Sequence, residues 1–132
     1  MEKIITALPK PKKTDTRLTK NSKLFKTILN AIQDKKGGNI VSLDLRKIDE
    51  AVADFFILCE GSSHIQVKAI ADNIVEEIWQ QTQEKPFHFE SGDHWTLVDY
   101  VNVVVHVFQP EQRRFYNLEG LWGDALHVEH ND

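Results

Sequence analysis

The sequence predicts an α/β (α+β) domain in which helices flank a mixed β-sheet, and three observations support this class. Residues 54–60 form a nearly continuous apolar run, as a strand buried on both faces does. Residues 63–82 follow with the spacing of an amphipathic helix. Residues 95–100 and 102–108, rich in β-branched and aromatic side chains, are the strongest strand predictions. Strands interleaved with helices in this order indicate a sheet with mixed directions.

The amino-terminal third begins with an arm and continues as a helix and a strand. Residues 1–21 are rich in lysine and lack apolar periodicity, so we expect a basic, flexible arm. Ser22 can cap a helix that runs to about Lys36, because apolar residues recur at helical spacing and two glycines follow. Residues 39–45 alternate between apolar and polar side chains and predict a strand.

The central helix has its own start and stop signals. Ser63 and Gln66 have capping-box spacing, in which each side chain satisfies the other residue's free amide. Pro86 ends the element, and residues 87–90 alternate as a short strand does.

Pro110 opens a last, short helix, and the chain then ends in a predicted frayed tail, residues 126–132. The folded domain is therefore expected to span residues 22–125. Positions 115, 118 and 122 have helical spacing. We expect the last helix to pack onto the body through Phe115, Tyr116, Leu118, Leu121 and Trp122.

Length and cysteine content limit the class of protein. The 132 residues are most simply one domain. The single cysteine, Cys59, allows no internal disulfide and fits a reducing compartment. No apolar run approaches the roughly 18 residues that a membrane span needs. A bacterial cytoplasm is the simplest location, since residues 4–8 are too short for a signal peptide, and an organelle is the less favoured alternative.

Charge is distributed unevenly along the chain. Twelve of the 16 Lys and Arg residues lie in residues 1–47 with only four of the 20 acids, which gives this part +8. Residues 48–132 carry the rest and have a net charge of −12. An acidic body argues against nucleic acid as its main ligand and favours a basic protein partner. The lysine-rich arm can still contact phosphates peripherally.

The Gly61-Ser62-Ser63 turn follows a buried strand and precedes a helix, where backbone amides can bind a phosphate. It also resembles the Gly-Ser opening of the nucleotidyltransferase fold. That chemistry needs spaced carboxylates to hold Mg²⁺, and no Asp-x-Asp or Asp-x-Glu follows at the expected distance. A serine helix cap is the favoured interpretation, and a nucleotide-binding enzyme is the alternative.

Other candidate reactive groups give no catalytic, metal or cofactor site. The six histidines do not form a known ligand spacing on one element. Cys59 lies in an apolar strand without a basic neighbour and is expected to be a small core residue. His106 lies in mid-strand, as a core or interface histidine with one hydrogen bond does.

Trp95 and Tyr100 lie on opposite faces of one predicted strand. Both residues are large enough to be core, yet Trp and Tyr are also the residues most enriched at binding hot spots. Composition leaves the two roles open.

Several linked motifs resemble the ribosomal silencing factor family, also called the Iojap-like or RsfS family. The resemblance covers residues 22–125, in order and with few gaps. The motifs are Ala53-Asp54-Phe55-Phe56-Ile57, Gly61-Ser62-Ser63-His64, Ala71-Asp72, Trp95-Thr96-Leu97-Val98-Asp99-Tyr100, Val103-Val104-Val105-His106-Val107-Phe108, Arg114-Phe115-Tyr116, Leu118-Glu119 and Leu121-Trp122.

This resemblance implies a fold similar to that of nucleotidyltransferases but without their catalytic carboxylates, and hence a protein that is not an enzyme. Family members bind the large ribosomal subunit through a basic ribosomal protein on its subunit-joining face. They block small-subunit joining sterically, repress translation in starvation and are linked to large-subunit maturation. They often form homodimers.

The resemblance also implies contact residues. The family's contact surface includes the tryptophan that matches Trp95 and the position that matches Tyr100, with Asp99 and Asn102 beside them. The family commonly has Gly-Asp where this chain has Val101-Asn102. We therefore expect a different turn here, without a carboxylate that would face the basic partner. An adaptor for a basic protein unconnected to ribosomes is a further alternative.

Overall fold

A computed structural model describes residues 17–131 and contains one six-stranded sheet with the strand order β3-β4-β5-β2-β1-β6. The helices are α1 (Arg17–Asp34), α2 (His64–Thr82), α3 (Pro110–Tyr116) and α4 (Leu118–Leu121). The strands are β1 (Gly38–Asp44), β2 (Phe55–Glu60), β3 (His88–Glu90), β4 (Trp95–Asp99), β5 (Val103–Phe108) and β6 (Leu126–Glu129).

The sheet is mixed, which confirms the predicted fold class. Strands β2 and β5 are parallel, whereas every other neighbouring pair is antiparallel. Both central strands are apolar on their two faces, because each face of the sheet is covered.

Two cores form, one on each face of the sheet. The helix-side core lies under α1 and α2 and includes Ile28, Ile32, Ile57, Ile70, Ile74 and Val105, all essentially inaccessible to solvent. The second core lies under the 46–53 connection and α3–α4 and includes Leu43, Phe56, Leu58, Trp95 and Phe108. Strand alternation divides each strand between the two cores.

The first helix begins at Arg17 rather than at Ser22, so the predicted cap is wrong. Ser and Asn are only slightly poorer helix formers than the Lys residues around them, and the helix continues through Ser22. Residues 17–21 of the predicted arm therefore belong to α1. The rest of the arm, residues 1–16, lies outside the described residues.

The carboxyl-terminal end is a strand, so the predicted frayed tail is wrong for residues 126–129. Strand β6 pairs antiparallel with β1. The next residues continue the attachment, since the His130 amide donates to the Ile40 carbonyl at 2.8 Å and the Asn131 Oδ1 accepts from the Ile40 amide at 2.9 Å. The physical reason is that β1 would otherwise present a row of unpaired backbone groups.

Candidate functional site

A groove of about 430 Å³ lies where β4 begins and α3 ends. We name it the Trp95 groove. Its lining consists of Gly92, Asp93, His94, Trp95, Gln112, Phe115 and Tyr116. We call the buried lining residue Trp95 its floor, the exposed Phe115 its wall and the polar residues Asp93, His94 and Gln112 its rim. Aromatic side chains combined with a few polar groups are common in recognition sites.

Trp95 is the floor of this groove and belongs to the second core. Only 3% of the residue is accessible to solvent. Its ring centroid lies 4.7 Å from those of Phe108 and Tyr116, and its Nε1 donates to the Nδ1 of His106 at 3.1 Å. The sequence left a core role and a binding role open, and the geometry gives Trp95 a core position at the edge of a cleft.

Phe115 stands on the wall of the groove and is 80% exposed, so the expectation that it packs onto the body is wrong. The helical spacing predicted for positions 115, 118 and 122 does not place them on one face, because α3 ends at Tyr116 and Asn117 adopts a left-handed conformation with φ 46°. Asn is one of the residues that tolerates this conformation. The new helix, α4, has a different phase.

The other four residues that were predicted to pack onto the body also divide into packed and exposed ones. Leu118 is buried, and Tyr116 and Trp122 pack against the second core as expected. Leu121 is 70% exposed, which corrects its predicted packing role.

Arg113 fixes α3 to the sheet beside the groove. Its guanidinium is 7% exposed and forms ion pairs with Glu60 at 3.2 Å and with Glu119 at 2.9 Å. It also donates to the Asn39 carbonyl. Because this buried charge is fully paired, it holds the Phe115-bearing helix in one place.

Asp99, Tyr100 and Asn102 lie at the opposite end of β4 from Trp95. Tyr100 lies five residue steps along the extended chain from Trp95, which is roughly 17 Å. The four predicted contact residues therefore form two separate groups rather than one patch. Asp99 and Tyr100 are 2% and 7% exposed, so neither offers much surface.

These three residues belong to or directly precede the two-residue Val101-Asn102 turn between β4 and β5, which the Tyr100 amide closes by donating to the Val103 carbonyl. The Asp99 Oδ1 accepts from the Val101 amide at 2.7 Å, and the Tyr100 carbonyl accepts from the Asn102 amide at 2.9 Å. Burial raises the pKa of Tyr100, and the nearby Glu84 carboxylate adds to this shift. Val101 has φ 74°, where glycine is normally found.

The Gly61-Ser62-Ser63 turn is satisfied by its own neighbours. The Ser63 hydroxyl accepts from the Gln66 amide at 3.1 Å, as predicted for a helix cap. The Gln66 side chain instead returns to the Ser62 amide at 2.7 Å, and the Gly61 amide donates to the Phe108 carbonyl. The Gly61 and Ser62 amides are therefore already engaged, which weighs against a phosphate site at this turn.

The remaining candidates behave as core or surface groups. Burial raises the pKa of the Cys59 thiol to about 12, which fits the expected core role. His106 is fully buried, with the Trp95 hydrogen bond expected of a core histidine. Among residues 17–131, no group of three or more His, Cys, Asp or Glu side chains is arranged to hold a metal ion. No helix in this part of the chain has the length and apolar character of a membrane span.

Sequence reasoning missed the groove residues Asp93 and Gln112, and it named Phe115 only as a packing residue. The one usable signal was Asn117, since an Asn four residues before Leu121 can end a helix and change its phase.

Comparison with known proteins gives one consistent result. A family model described as "Ribosomal silencing factor during starvation" matches residues 18–132. The ribosomal silencing factor RsfS of Halalkalibacterium halodurans is 42% identical over 110 residues, which is 83% of this chain and 93% of that protein. RsfS of Bacillus subtilis is also 42% identical, over 77% of this chain and 86% of that protein.

More distant and structural relatives agree. The chloroplastic protein Iojap of Zea mays is 41% identical over 57% of this chain and 33% of that protein. A crystal structure from Chromobacterium violaceum has a TM-score of 0.72 and 33% identity, covering 77% of this chain and 85% of that one. Another from Bacillus halodurans has a TM-score of 0.69 and 37% identity, covering 83% of this chain and 100% of that one.

Proposed function

The chain belongs to the ribosomal silencing factor family, and from this premise we propose that it binds the large ribosomal subunit through a basic ribosomal protein on the subunit-joining face. Bound there, it occupies the space that the small subunit needs and so represses translation. We also propose a contribution to large-subunit maturation. No bond is made or broken, so the protein is not an enzyme.

The observation that carries the proposal is an exposed aromatic residue beside an aromatic groove in an acidic body. Phe115 is 80% exposed next to Trp95 and Tyr116, and Asp93 lies on the rim. Large aromatic residues in a cleft with a polar rim are typical binding hot spots. The net charge of −12 over residues 48–132 favours a basic partner by steering encounter and fixing orientation.

The predicted contact residues have distinct parts in this proposal. Trp95 supplies the floor of the groove, and Phe115 supplies the area that the partner covers. Asp99, Tyr100 and Asn102 contribute at the hairpin turn. Asp99 and Tyr100 are buried and so support the turn more than they anchor a partner, whereas Asn102 is half-buried.

Cosedimentation of the protein with purified large subunits tests the proposal. Phe115→Ala is expected to weaken binding about 30-fold, since truncation of an aromatic hot spot costs about 2 kcal/mol. Leu121→Ala is the matched control, because Leu121 is 70% exposed on the adjacent helix but does not line the groove. Equal binding by both variants would contradict the contact surface. Failure of the wild-type protein to cosediment would contradict the function.

We further propose that the protein acts in the bacterial cytoplasm and forms homodimers. Light scattering after size-exclusion chromatography measures the oligomeric state, and a monomer at all concentrations would exclude the homodimer. The lysine-rich arm, residues 1–21, is expected to contribute at most peripheral contacts with ribosomal RNA.

A further inference from the structure

We propose that His106 is a positioning residue that holds the Trp95 indole in place as the floor of the Trp95 groove. By holding the indole, His106 sets the affinity of the groove for the ribosomal partner. The relevance to binding rests on the proposed function, whereas the positioning itself is a property of the free protein.

Strand register brings the two residues together. In the β4–β5 pair, Trp95 lies opposite Phe108 and Leu97 lies opposite His106. Trp95 and His106 are therefore diagonal neighbours on the face that forms the second core, within reach of large side chains. Both are essentially buried, so their polar atoms depend on each other and on other protein groups.

The hydrogen bond has a defined direction. The indole N–H can only donate, so the His106 Nδ1, at 3.1 Å, must be its acceptor. This requires a neutral imidazole with its proton on Nε2. The ring of His106 is in turn held by the ring of Phe56, whose centroid is 4.7 Å away.

The other contacts of Trp95 do not fix the indole in this way. Phe108 and Tyr116 pack against it with centroids at 4.7 Å, tilted by 30° and 49°. Aromatic pairs have preferred ring geometries, and the hydrogen bond adds a directional contact that favours the orientation with Nε1 toward His106. The orientation in which Trp95 lines the groove therefore depends in part on the acceptor at residue 106.

Two substitutions distinguish the hydrogen-bond acceptor of His106 from the space that its ring fills. Asn places its Oδ1 close to the position of the histidine Nδ1, whereas Leu fills similar space without an acceptor. We expect His106→Leu to weaken large-subunit binding about tenfold, and His106→Asn to remain within about threefold of wild type. We also expect faster hydrogen exchange of the Trp95 indole proton in His106→Leu only, measured by NMR.

Val105→Ala controls for general loss of stability. Val105 is the neighbouring residue on β5, fully buried, but its side chain lies in the helix-side core away from Trp95. This variant should bind subunits like wild type. Equal losses in Val105→Ala and His106→Leu, or in His106→Asn and His106→Leu, would overturn the positioning role.

The wild-type protein provides a test that needs no variant to fold. Nitrogen-15 NMR of the imidazole reports which ring nitrogen carries the proton, and a proton on Nδ1 would overturn the inference. If wild-type protein fails to bind subunits, the proposed function is lost. The tautomer and the indole exchange rate still decide whether His106 positions Trp95.

Discussion

Replacing Val101 by Gly is expected to stabilise the protein, although it removes a side chain. Val101 is the first residue of the two-residue β4–β5 turn and has φ 74°. A non-glycine residue in this region costs about 1–3 kcal/mol, and β-branching puts Val toward the upper end. The family resemblance implies glycine at this position, which suits this backbone conformation.

The net stabilisation expected from Val101→Gly is smaller than the strain energy that the substitution relieves. Glycine costs about 0.5–1 kcal/mol in conformational entropy, and the half-buried Val side chain contributes up to roughly 1 kcal/mol of burial. We therefore expect Val101→Gly to raise the free energy of unfolding by about 1 kcal/mol. For a domain of this size that corresponds to an increase in Tm of about 4 °C.

Urea and thermal unfolding, followed by circular dichroism, measure both quantities. Val101→Ala is the control, because alanine keeps the Cβ that conflicts with positive φ and loses the packing of Val. The Val101→Ala variant should be no more stable than wild type, so only the substitution by Gly should raise the free energy of unfolding. If both substitutions destabilise the protein equally, backbone strain at Val101 is not the controlling factor and the reasoning fails.

Three further expectations concern titratable and charged groups. Desolvation lowers the pKa of His130 below its ordinary value of 6.5, so its contribution to stability is present above pH 6.5 and lost as pH falls below it. His130→Asn should therefore reduce the loss of Tm on acidification, and an unchanged pH profile would argue against this. Arg113→Ala should lower the free energy of unfolding, measured in urea, by about 3 kcal/mol, because the Glu60 and Glu119 carboxylates lose their buried partner; a loss under 1 kcal/mol would contradict a stabilising role for these ion pairs. Cys59 should react with a thiol reagent only when urea unfolds the protein, because it is buried and its pKa is about 12; fast labelling of native protein would refute that.

The central strands and the long helix could be predicted from the sequence because their signals are local. The helix expected over residues 63–82 is observed as His64–Thr82, and the strands expected over 95–100 and 102–108 are observed as Trp95–Asp99 and Val103–Phe108. Continuous apolar runs and a serine cap fix these elements wherever they lie in the fold. Strand β6 could not be predicted in this way, because its partner β1 is some 80 residues distant in the chain.

The candidate site was predictable only in part, for a related reason. The aromatic content around Trp95 is visible in the sequence, but the exposure of Phe115 depends on a single left-handed residue, Asn117, that changes the phase between α3 and α4. Helical periodicity extended across Asn117 therefore wrongly predicted that Phe115 faces the body of the protein. The separation of Trp95 from Tyr100 follows from the length of β4, which the sequence did predict.

The two ends of β4 are held by different interactions. At the Trp95 end, a buried hydrogen bond and the packed rings of Phe108 and Tyr116 hold Trp95 in the lining of a groove, with Phe115 exposed beside it. At the Tyr100 end, buried groups and a strained Val101 hold a tight turn. Under the proposed function, the protein needs rigid shape and charge more than reactive groups. This accounts for a segment that is dense in aromatic residues and yet, within residues 17–131, gathers no metal-binding cluster.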